Sequence, residues 1–226
     1  FNGDILKRTK TFFINGIILT ITAFIMKSIG MSFSLYVSNK IGSEAVGIFS
    51  LVMSVYLFAV VVATSGLNLA CTCIVSEQFS KGNYLNGLKA VKTCLLFSLL
   101  LGFGCSYVVL MLSDIISQNW LKSMVSTIPI YLIAVGLPFI SISSVINSYF
   151  SAVRKGWKSA FSQVFELLVK ISVTILLFNF YPNKDTESVC NCLILADVIS
   201  EVCSCSLLII LYEKDVLKYL NRCDIY

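Results

Sequence analysis

The chain has 226 residues, of which 57% are hydrophobic and only 13% charged, with a mean hydropathy of +0.87. A soluble domain of this length needs a charged coat around one core, so the composition excludes that class and points to a polytopic membrane protein. The net charge of +5 arises from seventeen basic and twelve acidic residues; the basic ones gather between apolar runs, which is a topology signal and gives no support to nucleic-acid binding.

Six apolar runs lie at 11–37, 47–71, 93–113, 126–151, 160–181 and 190–212. Each is near or above the ~20 residues that a helix needs to cross ~30 Å of hydrocarbon, so the expected fold is all-α, one six-helix transmembrane unit over residues 1–226. The first run is too long for a signal peptide and lacks a small-residue cleavage site, and the chain opens on Phe1, so a fragment at the front end is expected. Within that run Gly16, Thr20, Ala23, Lys27, Gly30, Ser34 and Ser38 recur every three or four residues. Such a small, polar stripe suits a close helix contact or a water-filled cavity. Lys27 stands out from it, being mid-span with no acid one turn away, and suits an anionic ligand.

The fourth run carries Pro129 and Pro138, followed by Ser141, Ser143 and Ser144. A proline inside a span removes a backbone donor and kinks the helix, and the neighbouring hydroxyls are expected to take up the freed carbonyls. In the fifth run Glu166 and Lys170 are four apart, with Ser162 and Gln163 on the same side, so the two can pair. The sixth run repeats the spacing with Asp197 and Glu201, extended by Ser200 and Ser204. Charges at mid-span cost about 2.5–3.5 kcal/mol on insertion scales, so these faces should look into the bundle. Between the last two runs, 182–189 (PNKDTESV) reads as a turn-rich external loop, and the tail YEKDVLKYLNR as a segment along the cytoplasmic surface.

Orientation follows from twelve basic residues on one set of alternate loops against three on the other. Lys7, Arg8, Lys10, Lys81, Lys89, Lys92, Arg154, Lys155, Lys158, Lys214, Lys218 and Arg222 face Lys40, Lys122 and Lys184. Both termini are therefore expected in the cytoplasm of a bacterial cell. Nine cysteines include Cys71/Cys73, Cys190/Cys192 and Cys203/Cys205, but positions two apart on a helix point about 200° away from each other and cannot chelate one ion. They read as small packing residues. Without histidine, HExxH, GxSxG or a Gly-rich phosphate loop, no catalytic motif and no cofactor or metal is expected.

The stretches FINGIILTITAFIMKSIGM, YVSNKIGSEAVGIFSL, SGLNLACTCIVSE and ISISSVINSYFSAVRKGWKSAFSQVFELLVKIS resemble the polysaccharide-exporter family. That family belongs to the flippase superfamily that includes MATE efflux pumps and lipid II flippases. The resemblance implies the first of two six-helix lobes around a central cavity, with the carboxy-terminal lobe absent. Its implied substrate is an undecaprenyl-pyrophosphate-linked saccharide moved outward in wall or spore-cortex synthesis. By the same resemblance, the family's cavity residues fall on Lys27, Glu166, Lys170 and Glu201, with Asp197 on the same face as Glu201. Gly30, Gly66 and Pro138 take structural or gating roles. The chain departs from the pattern at Phe33 or Ser34, where a second first-helix cation is usual, at Asn68 in place of a proline, and at Cys73 in place of a basic residue. A MATE-type cation exporter and an inactive membrane scaffold are the competing expectations.

Overall fold

The structure, a computed structural model, describes residues 2–64, 66–120, 127–180 and 186–223. Lys122 and Lys184 lie outside the described residues, as do the side chains of Lys7, Arg8, Lys10, Gly16 and Arg222. Helix α1 (Asn2–Ile41) is followed by α2 (Ser43–Thr64), α3 (Leu67–Ser80) and α4 (Tyr84–Met111). A single turn, α5 (Ser113–Ile115), and a π-helical turn (Ile116–Trp120) precede α6 (Ile128–Ala152), α7 (Gly156–Phe180) and α8 (Thr186–Cys223). No strand occurs among the described residues.

Among the described residues, six segments are long and apolar enough to cross a membrane: Thr20–Ile41, Ala45–Ser80, Tyr84–Met111, Ile128–Ala152, Gly156–Phe180 and Ser188–Tyr219. The number is as expected, but three boundaries need correction. The second segment is two helices, because Gly66 at φ +78° breaks the ladder between α2 and α3. Helix α8 starts at Thr186, inside the expected external loop. It then runs unbroken through the tail to Cys223, so the tail continues the sixth span instead of forming a separate surface segment.

Helix α6 forms the centre of the bundle, packing on α2, α3, α4 and α8. Its first half joins Ile130, Ile133, Ala134 and Leu137 to Val52, Ala59, Val109 and Ile194, and its second half joins Val145, Ile146, Tyr149 and Phe150 to Cys71, Val75, Val91 and Leu208. Lipid tails are as apolar as leucine, so burial alone does not hold such helices together; close backbone approach does. Along α4 the buried positions are Gly87, Val91, Cys94, Ser98, Gly102, Ser106 and Val109, a run of mostly small residues every three or four positions. At Gly102 a Cβ would stand 3.0 Å from Pro138 Cα and 2.9 Å from Ser141 Oγ, so only glycine lets α4 come this near to α6.

The prolines divide their roles. Pro129 lies in the first turn of α6, where its missing N–H is no loss, while Pro138 is interior. Pro138 leaves the Ala134 carbonyl without its usual donor, and Ser106 Oγ of α4 donates to it at 2.7 Å. The expected local donors do something else: Ser141 Oγ bonds the Leu137 carbonyl, and Ser144 Oγ donates to Asn68 Oδ1 of α3 at 2.5 Å. A hydroxyl on a facing helix reaches the freed carbonyl where Ser141 and Ser144 of α6 itself do not. Of the cysteines, Cys71, Cys94, Cys190 and Cys205 are buried as packing residues, and Cys73 is exposed.

Candidate functional site

The fifth and sixth spans meet along a polar seam. On α7, Ser159, Ser162, Glu166, Lys170 and Thr174 follow each other at spacings of three and four, which places them on one face. On α8, Asp197, Ser200, Glu201 and Ser204 do the same. The faces join rung by rung: Ser159 Oγ donates to Asn147 Oδ1 of α6 at 2.8 Å, Ser162 and Ser204 hydroxyls lie 3.0 Å apart, and Lys170 Nζ stands 2.5 Å from Asp197 Oδ1.

This corrects the pairing within α7. Lys170 takes its carboxylate from Asp197 on the neighbouring helix, and among the described residues no ion pair joins it to Glu166. Glu166 instead sits beside Ser204. Glu201 is 7% exposed and lies next to Ser143 of α6, whose Oγ makes no hydrogen bond in the described structure. Tyr56 of α2 lies within electrostatic range of all three carboxylates. The Lys170–Asp197 contact is an ion contact outside hydrogen-bond geometry, and neither carboxylate oxygen of Asp197 receives a hydrogen bond. The seam therefore holds three carboxylates and one ammonium within membrane-spanning helices. Among the described residues, no group of three acidic or thiol side chains is placed to hold a metal ion.

Lys27 is elsewhere, exposed on α1, and so are Thr20, Ala23 and Ser34 of its stripe. Helix α1 packs through Val37, with Phe33 and Ile41, against Val189 and Leu193 of α8 and Phe178 of α7. Gly30 has open space where a Cβ would stand, so no neighbour approaches there. Sequence reading also passed over Ser106, Asn147 and Tyr56. The small-residue period along α4 carried a signal for Ser106, whereas nothing local marks an asparagine or tyrosine that a neighbouring helix will meet.

A bundle of membrane-spanning helices with ionisable side chains along an inner seam defines a polytopic integral membrane protein. The family model described as "Polysaccharide biosynthesis protein" matches residues 13–221, and the chain belongs to that family. It is 22% identical over 204 residues to stage V sporulation protein B of Bacillus subtilis (strain 168), an alignment that covers 90% of this chain and 39% of that protein. The chain thus spans well under half the length of the relative it matches. No solved structure matches it.

Proposed function

We propose that this chain is the amino-terminal six-helix lobe of a flippase that moves lipid-linked saccharides, such as undecaprenyl-pyrophosphate oligosaccharides or peptidoglycan precursors, across the bacterial cell membrane. The observation that carries the reading is the α1 face: Lys27, with Ala23 and Ser34, is exposed within a membrane span. A polar face left open at that depth is stable against a water-filled cavity and not against lipid. Val37 and Phe178 meet in one apolar cluster, and counting ten residues back along each helix brings Lys27 to about the level of Leu168, roughly 15 Å along the axes, between Glu166 and Lys170. Lys27 then offers the ammonium for a pyrophosphate, and the α7–α8 seam supplies the polar wall and the ionisable groups for coupling.

A second reading has one observation in its favour. Three carboxylates against one ammonium leave the seam acid-rich, and that suits a MATE-type exporter of organic cations. The two readings divide on Lys27. In the full-length protein, Lys27→Ala should leave membrane abundance unchanged and abolish transport of the lipid-linked saccharide, with Lys27→Arg retaining part of it. An abundant alanine variant with full transport would remove the flippase assignment of this site, and cation export lost on Glu201→Gln would establish the alternative.

A further inference from the structure

The turn between α6 and α7 leaves a basic and an aromatic side chain, Arg154 and Trp157, exposed. Arg154 is the one non-glycine residue with positive φ among the described residues, at +59°, a conformation that favours glycine or asparagine. That conformation closes the end of α6, where the Lys155 N–H donates to the Phe150 carbonyl at 2.8 Å. Arg154 is exposed, and among the described residues no carboxylate lies within ion-pair distance of it. Three residues on, Trp157 is 62% exposed.

The charges nearby do not cancel. Lys155 Nζ and Lys158 Nζ share the single carboxylate of Asp215, at 2.6 and 2.9 Å, and Asp215 is only 4% exposed. Tyr149 adds a hydrogen bond to the same carboxylate at 3.4 Å, Lys155 also lies over the Tyr219 ring, and Lys158 over Phe150. One acid against two ammonium groups leaves one positive charge, and Arg154 adds a second. Arg154 and Lys155 lie between the end of one span at Ala152 and the start of the next at Gly156, and Trp157 and Lys158 are in the first turn of that next span, at the depth of lipid headgroups. An exposed tryptophan belongs at that depth too.

We propose that the Val153–Trp157 turn is a binding site for the phosphate of an anionic membrane lipid. Arg154 contacts the phosphate oxygens through its planar fork, the Lys155/Lys158/Asp215 cluster holds the turn with net positive charge, and Trp157 packs beside the glycerol and upper acyl region. The site stands on this turn alone and does not depend on what the cavity carries.

Native mass spectrometry of the purified full-length protein, titrated separately with phosphatidylglycerol and phosphatidylcholine, tests it. The first bound lipid should show about a fivefold preference for phosphatidylglycerol, which is the ~1 kcal/mol that one basic residue contributes near an anionic headgroup. Arg154→Lys should keep most of that preference. Arg154→Gly relieves the backbone strain while deleting the charge, so it yields a folded variant in which the preference should fall to near unity. Equal binding of the two lipids by the parent, or a preference unchanged in Arg154→Gly, overturns the proposal. Competition with undecaprenyl pyrophosphate separates the sources: displacement of phosphatidylglycerol assigns the site to the isoprenoid lipid and retention assigns it to bilayer phospholipid, and either result supports a lipid-phosphate site.

Discussion

Single side chains decide how this bundle tolerates polar groups in hydrocarbon. The Ala134 carbonyl is freed by Pro138 and taken by Ser106, so Ser106→Ala should leave a buried acceptor without a donor and lower stability by about 1–3 kcal/mol. Pro138→Ala restores an N–H on the helix itself, and in that background the same serine change should cost much less; thermal unfolding of the four proteins in detergent measures the coupling. Lys170 and Asp197 form the second test at this scale. Removing either one strands a charge and should cost about 3–5 kcal/mol, whereas replacing both by apolar residues of similar volume should be far milder. Glu166→Gln, with no ion pair to break, should be the mildest of the single changes in the same unfolding measurement. Sequence spacing placed Glu166 and Lys170 on one face correctly. It could not choose between a partner one turn away and one across the interface, because helical period fixes the face and says nothing of which helix will meet it.

At the scale of elements, the break in the second span is the feature that local sequence reveals least. An apolar run reads as continuous whether or not its axis changes, and the glycine that turns it is one of twelve in the chain. Nothing lies within 4 Å of where a Cβ at Gly66 would stand, so the effect of a substitution there is purely one of backbone conformation. Gly66→Val should lower the melting temperature clearly, by an amount corresponding to roughly 1–3 kcal/mol. Gly66→Asn should lower it less, since asparagine enters the left-handed region more readily. Equal shifts for the two would mean that the break serves packing. Helix number and approximate span were legible because a run of about 20 apolar residues is a coarse and redundant signal. The ends were not, since α8 continues as helix once Asp215, Tyr212 and Tyr219 find partners on other elements, a tertiary effect absent from its own sequence.

For the whole molecule, one end of the bundle is knitted together by ion pairs and ring contacts, while at the other Lys40 of α1 lies over the Phe178 ring of α7 at 5.5 Å. Phe79 and Tyr84 of the α3–α4 turn pack on Tyr219 of α8 at ring separations of 5.3 and 5.6 Å, and Asp215 ties the same stretch of α8 to the α6–α7 turn. Lys81, Lys89, Arg154, Lys155, Lys158, Lys214 and Lys218 lie toward this end, while Lys40 closes α1 at the opposite one. A charge distribution of this kind sets which end stays in the cytoplasm during insertion, because short loops rich in lysine and arginine are not translocated. Cysteines introduced one at a time at Lys40, Lys89 and Lys214, in a protein stripped of its native cysteines, should therefore divide between the two sides. The positions of Lys89 and Lys214 should react with a membrane-impermeant maleimide only after the cells are opened, and the position of Lys40 in intact cells. Labelling at Lys89 or Lys214 in intact cells would reverse the bundle and place the Asp215 cluster on the outer face, where the positive-inside bias could not account for it.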